Sequence, residues 1–280
     1  MRIAYFGQEG SFAYEAATQA FPRAHAFIPG VNSRGVLKLL YDRRADCGVV
    51  PIENSSEGTI SETIDVLIGS EFTDSRFRVQ EELTLPVRLH LLSNAQMGQI
   101  QKIYSHPVPL SHLDEWLKKN LPNARCIHTF STSEGAIMAA GEPYTAAAIG
   151  NEAAAKIYGL KILKSGLIKK QNQTHFYVIA RKPTFHTAPQ KGAICFGLPN
   201  QAGSLVTLLL VLAKAKINLT RIISRPLAKR QKGFRPNEYV FWADLEGNPR
   251  DPNVINVLRK AKSVTTFLEV LGAYRTRQLA

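Results

Sequence analysis

Along the first two thirds of the chain, hydrophobic residues come in short runs separated by polar turns, and the runs follow two periods. Residues 2 to 6, 25 to 28, 47 to 50, 103 to 104, 126 to 130, 146 to 149, 160 to 163 and 176 to 179 are apolar stretches of strand length, as expected of strands buried on both faces. Between them, 12 to 21, 33 to 41, 110 to 121, 134 to 140 and 152 to 158 carry apolar residues three and four apart, and Ile60, Ile64, Leu67 and Ile68 share one helical face; these segments predict helices resting on a core. Residues 77 to 92 alternate in the manner of a strand and break at Pro86, which predicts a crossing from one lobe to another. Strands and helices in alternation define an α/β fold.

The composition changes between residues 183 and 190 to proline, histidine, threonine and alanine, which predicts a linker. Beyond it the pattern reads strand 191 to 198, helix 204 to 215, strand 219 to 224, strand 238 to 245, helix 253 to 261 and strand 264 to 271. That order, βαββαβ, is the ferredoxin-like unit and predicts a second domain.

Polar side chains gather where the strands end. Gly7 to Ser11 follow the first strand, Glu53 to Ser56 the third, Ser105 and His106 a later one, and Ser131 to Ser133 precede a helix. An open α/β sheet collects ligand contacts at such tips. Ser11 is equally a plain helix cap, and Asn54 and Ser55 equally open the next helix. Gln171 to His175 form a polar run that enters the apolar run Phe176 to Ile179, so a hydroxyl and an imidazole emerge together from a strand end; finishing a turn is their other reading.

Composition narrows the classes. With 280 residues, 45% hydrophobic and 20% charged, the chain is ordinary for a globular protein and can bury a sizeable core. No secretory signal or membrane-length apolar run is visible, so a cytosolic protein is expected. The 3 cysteines, Cys47, Cys126 and Cys195, are far apart and form no metal or redox motif. A net charge of +13 suits an anionic small substrate as well as a nucleic acid or membrane surface. Much of it is concentrated in 225 to 235, where Pro226 and Gly233 favour a solvated loop over a basic helix.

The motifs GQEGSF, GVVPIENSSEGTI, LPVRLHLL, YSHP, STSEGA, AAIGNEAAAKIYGL and NQTHF occur in order, and with the tail they make the chain similar to the prephenate dehydratases carrying a carboxy-terminal ACT regulatory domain. The resemblance implies a two-lobed catalytic domain over 1–182, built like a periplasmic binding protein, with lobes of about 1–77 plus 160–181 and about 80–155, and an ACT domain over 191–275. It implies decarboxylative dehydration of prephenate to phenylpyruvate without metal or cofactor, feedback control by phenylalanine, and a homodimer or homotetramer that binds neither nucleic acid nor membrane. Thr174 would assist departure of the substrate hydroxyl, Phe176 would pack the ring, and His175 would bind a carboxylate. Ser11, Asn54, Ser55 and Thr132 would face the cleft. Asn200, Gly203, Ser204, Leu205, Asn218, Leu219, Ser224 and Arg225 would receive phenylalanine. The sequence departs from the family pattern at His175, where arginine is usual, at Ile223 in place of glutamate, and at Val108 and His112 in place of glutamines. Those departures leave open a paralogue that binds prephenate or an aromatic amino acid without dehydrating it, or an arogenate dehydratase.

Overall fold

Two helices on opposite faces of one sheet open the chain, and the alternation of side chains along the first strand decides which face each covers. The structure, a computed structural model, describes residues 1–168, 172–182, 188–226 and 239–280. The linker at 183–187 and the basic segment at 229–235 lie outside the described residues. Strand β1 (Arg2–Phe6) is followed by helix α1 (Phe12–Ala20), strand β2 (Ala26–Gly30), helix α2 (Ser33–Tyr41) and strand β3 (Cys47–Asn54). Ile3 and Tyr5 pack with Ala13, Ala16 and Ala17 of α1, whereas Ala4, between them in sequence, packs with Val36, Leu37 and Leu40 of α2. The alanine stripe of α1 lets that helix lie close to the sheet.

A two-residue strand, β4 (Gly58–Thr59), folds back on β3 and leads to helices α3 (Ser61–Leu67) and α4 (Ser70–Thr73), then to strand β5 (Arg78–Pro86). After Pro86 the chain enters the second lobe, with β6 (His90–Ser93), β7 (Lys102–Ser105), α5 (Pro107–His112), α6 (Asp114–Asn120), β8 (Arg125–His128), α7 (Thr132–Gly141), β9 (Ala146–Gly150), α8 (Glu152–Ile157) and β10 (Lys161–Lys164). These strands form their own sheet in the order β10-β6-β9-β7-β8. The chain then returns as β11 (Gln173–Ala180), antiparallel to both β3 and β5 and inserted between them. Two crossings, after Pro86 and before Gln173, therefore join two lobes.

Two expected boundaries move. Residues 78–86 belong to the first lobe, because β5 pairs with β11, and 161–164 belong to the second, because β10 pairs with β6. The helix expected over 110 to 121 is two helices meeting at Leu113.

The remaining elements are β12 (Lys191–Gly197), α9 (Ser204–Lys214), β13 (Leu219–Pro226), β14 (Tyr239–Glu246), α10 (Pro252–Lys262) and β15 (Phe267–Gln278). Strand order β13-β14-β12-β15 with two helices is the expected ferredoxin-like unit. Its helices meet the sheet through Leu208, Leu258 and Ala261, packed on Ile194, Phe196 and Leu268.

The last strand differs from the expectation of 264 to 271. It runs 12 residues, and its second half pairs in parallel with β5, from Gly272 opposite Val79 to Gln278 opposite Thr84. One continuous ten-stranded sheet results. Gly272 permits the approach, since a Cβ there would lie 2.7 Å from both the Cβ and the carbonyl oxygen of Val79. Val79, Tyr177 and Ile179 of the first lobe share a core with Cys195, Trp242, Leu271 and Tyr274 of the carboxy-terminal unit.

Candidate active site

Between the lobes lies a cavity of about 230 Å³. The first lobe contributes Ser11 from the start of α1, Asn54 from the end of β3, and Thr174 and Phe176 from β11; the second contributes His106 before α5 and Thr132 at the start of α7. The lobes also meet beside this space, where Asn151 Nδ2 donates to Glu15 Oε2 at 2.7 Å and the Tyr158 hydroxyl donates to the Glu9 carbonyl at 2.6 Å. Burial holds the Glu15 carboxyl above its usual range, only partly offset by the Asn151 hydrogen bond.

Thr174 is only 7% exposed, yet it lines the cavity. Its surroundings determine what its hydroxyl can do. Asn54 Nδ2 donates to Thr174 Oγ1 at 2.9 Å. The orientation of that amide follows from its other side, because Asn54 Oδ1 already accepts from the Ser56 and Glu57 amides at 2.9 and 3.2 Å. The threonine oxygen is thus an acceptor toward Asn54, and its own proton remains to be donated into the cavity. Register explains the pairing: Thr174 stands opposite Asn54 across the β3 and β11 ladder.

Helix ends supply the complementary feature. Ser11 and Ala13 from the start of α1, His106 and Val108 from the start of α5, and Ser131 and Thr132 from the start of α7 all line the same space. Ser11 Oγ accepts from the Tyr14 amide and Ser131 Oγ from the Glu134 amide, so both serines are caps. The amino termini of α1 and α7 carry partial positive charge and unpaired amides, a natural seat for carboxylates, whereas α5 opens on Pro107 and Pro109 with the Val108 amide donated to His106 Nδ1. Among the described residues lining the cavity there is no lysine or arginine. An anion would be held by helix ends, hydroxyls, the two histidines His106 and His112, and Asn172.

Asn172 is a residue that the sequence reading passed over. Ser55 Oγ donates to Asn172 Oδ1 at 3.0 Å and accepts from the Gln173 amide, which leaves the Asn172 amine group as a free donor toward the cavity. The only sequence signal was its place in the polar run before β11. Ser55, expected to touch substrate, does not line the cavity and instead pins this turn.

His175 is also corrected. Side chains alternate along a strand, so with Thr174 and Phe176 toward α1 and the cavity, His175 points to the opposite face. There its Nδ1 lies 3.2 Å from Thr84 Oγ1 and 3.3 Å from Glu82 Oε1. It does not line the cavity; it lies beneath it, on the far face of the sheet.

The expected effector residues fall into separate groups. Gly203, with φ +85°, opens α9 at Ser204 and Leu205, shortly after Asn200, and Asn218 immediately precedes β13, which Leu219 begins. Ser224 and Arg225 lie at the other end of that strand, roughly 20 Å from Leu219 at the usual strand rise. Arg225 is occupied here by Asp65 of α3, in a bidentate pair at 2.6 and 2.7 Å.

Two α/β lobes on either side of a cavity of small-ligand size, with a ferredoxin-like unit built onto one lobe's sheet, define a two-lobed cleft protein. The chain belongs to the prephenate dehydratase family, whose family model, described as "Prephenate dehydratase", matches residues 3–184. It is 36% identical over 276 residues to a bifunctional chorismate mutase/prephenate dehydratase of Aquifex aeolicus, covering 98% of this chain and 73% of that protein. It is 32% identical over 286 residues to a prephenate dehydratase of Lactococcus lactis, covering 100% and 99%. Among solved structures, an Arthrobacter aurescens prephenate dehydratase in complex with L-Phe aligns with TM-score 0.84 at 26% identity over 98% of this chain and 90% of that one. A structure described as GqqA, a novel type of quorum quenching acylase, aligns with TM-score 0.86 at 25% identity over 99% and 98%.

Proposed function

We propose that this chain converts prephenate to phenylpyruvate, with residues 1–182 as the catalytic part and 191–275 as a phenylalanine-binding regulatory part. The observation that carries the reading is the Thr174 hydroxyl, which lines the cavity and accepts from Asn54 Nδ2, leaving its proton for a group bound there. The reaction breaks the ring C–O bond at the substrate's hydroxyl and the C–C bond to the ring carboxylate. Electrons of the breaking C–C bond move into the ring, which becomes aromatic, and the hydroxyl leaves with the C–O pair and takes one proton from the medium to become water. Thr174 donates a hydrogen bond to that oxygen as negative charge develops on it, a contact stronger in the transition state than in the ground state. Helix ends of both lobes seat the substrate's anionic groups, and Phe176 packs against its ring. Holding the departing carboxylate by dipoles and not by a full cation avoids stabilising it against loss as carbon dioxide.

Thr174→Ala is expected to lower kcat by about 10² to 10⁴, the usual worth of a positioned proton donor, with the fold intact by circular dichroism, while Thr174→Ser retains most activity. Steady-state phenylpyruvate formation checks both. Assaying arogenate beside prephenate separates the two substrates, and binding of either without turnover would favour the non-dehydrating paralogue.

Phenylalanine control follows from the ferredoxin-like unit and from the L-Phe complex of the Arthrobacter aurescens relative. Because its two groups of candidate residues lie at opposite ends of β13, the effector site is completed between copies of the chain. An acylase reading, suggested by GqqA, finds less support: hydrolysis through an enzyme nucleophile calls for a hydroxyl beside a base. Ser11 and Ser131 serve as helix caps, and no described cavity hydroxyl is hydrogen-bonded to a histidine.

A further inference from the structure

Beneath the cavity, on the face of the sheet away from it, a single guanidinium from the carboxy-terminal unit gathers the strands that carry the site. The Arg221 side chain is 10% exposed. Its Nε donates to Glu53 Oε2 at 2.9 Å, its Nη2 to Glu82 Oε1 at 3.0 Å, and its Nη1 to the Tyr177 hydroxyl at 2.8 Å and to Asp244. Those acceptors stand on β3, β5, β11 and β14. Three of the four strands belong to the first lobe, and Arg221 itself belongs to the ferredoxin-like unit.

The partners adjoin the Thr174 and Asn54 pair in sequence. Glu53 precedes Asn54, Tyr177 shares β11 with Thr174, and Glu82 also meets His175, the residue after Thr174. The backbone ladder is interrupted at the same place. Thr174 faces Asn54 and His175 faces Glu53, but Phe176 faces Pro51, so Ile52 has no opposite residue and proline offers no amide. Where a bulge interrupts the ladder between β3 and β11, side chains that span the strands add to what holds their register. A planar fork of five donors spanning four strands can do this, whereas a lysine ammonium cannot reach all four acceptors.

We propose that Arg221 is a positioning residue for the reaction, its guanidinium holding β3 and β11 in the register that brings Asn54 Nδ2 onto Thr174 Oγ1. The proposal deepens the dehydratase reading and rests on it for its kinetic test. It also gives the carboxy-terminal unit a standing part in catalysis, independent of any effector. Leu219 and Ser224, both candidates for phenylalanine contact, lie two and three residues from Arg221 on the same strand.

The test uses Arg221→Lys and, as a milder change at a partly exposed partner, Glu53→Ala, each in the full chain. Because a shift of the reacting groups by about 1 Å can cost 10²-fold, kcat for prephenate should fall at least tenfold in Arg221→Lys and severalfold in Glu53→Ala, with KM within about twofold. Introduced into Thr174→Ala, the same changes should have almost no further effect, since the hydroxyl they position is gone. Equal losses in both backgrounds, or a change in KM alone, would overturn the proposal. Crystal structures of the two variants give a readout independent of turnover. The Asn54 to Thr174 hydrogen bond, 2.9 Å here, should lengthen beyond hydrogen-bonding distance in at least one of them; retention in both refutes the positioning role. Absence of any dehydration by the unaltered protein would count against the dehydratase reading, and the structures would still decide this one. If Arg221→Lys does not fold, Glu53→Ala carries both measurements.

Discussion

At residue scale, the direction of one hydrogen bond decides what the Thr174 hydroxyl can offer the cavity. Asn54 is a donor to Thr174 only because its oxygen is taken by two backbone amides. Asn54→Asp keeps the shape but replaces the amine group with an acceptor, so the Thr174 proton would turn toward the new carboxylate and away from the substrate. Its kcat should therefore fall about as far as that of Thr174→Ala, roughly 10²-fold or more, although the threonine is untouched; kinetics at matched protein stability check this. At this scale the sequence located Ser11, Asn54, Thr132, Thr174 and Phe176 in the cavity. It misplaced His175 because motif order was followed across a strand whose period of two assigns consecutive residues to opposite faces. Ser55 and Asn172 exchanged roles for a different reason. Which of two neighbouring polar residues turns inward depends on the path of a turn, and no periodicity marks that.

At the scale of elements, β5 is the most constrained strand. Glu81 and Glu82 are consecutive, buried, and directed to opposite faces, and each is met by basic residues of the carboxy-terminal unit: Glu81 by Arg275 and Arg277, Glu82 by Arg221 and Lys191. Burial alone would raise both carboxyls. For Glu81 burial prevails over its two arginines. For Glu82, burial is outweighed by the His175 hydrogen bond and the charges of Arg221 and Lys191, which hold its pKa down to about 2. A carboxyl depressed on folding contributes stability that is present above its ordinary value near 4.5 and is lost as pH falls toward 2. Comparing the denaturant midpoints of the unaltered protein and Glu82→Gln between pH 7 and pH 2 should show a gap that is widest at neutral pH and narrows below about 4.5. A gap that did not narrow would mean the network is not held by this charge. Helix α2 was legible residue for residue from its spacing, Ser33 to Tyr41. The length of β15 was not, since what extends it is Glu81 meeting Arg275 and Arg277 from a distant strand, and nothing local marks that pairing.

For the whole molecule, the ferredoxin-like order was legible from element sequence alone, but the fusion of its sheet with the first lobe was not. Parallel pairing of β15 with β5 joins residues nearly two hundred positions apart, and no local pattern records such a contact. The fusion is closest at Gly272, where an added methyl would collide with Val79. Gly272→Ala should cost about 1 to 3 kcal/mol, the usual range for overpacking a filled interior. In thermal unfolding the lobe and the carboxy-terminal unit should lose stability together, in a single shifted transition.

That shared sheet limits how the protein could be taken apart or rebuilt. Severing the chain between residues 182 and 188 would leave two fragments still stitched edge to edge, and removing everything after residue 190 would strip the first lobe of a neighbour for β5. A foreign domain grafted in its place would have to bring a spare strand of matching direction with two arginines at the right spacing, so the two units must be exchanged, or inherited, as one piece.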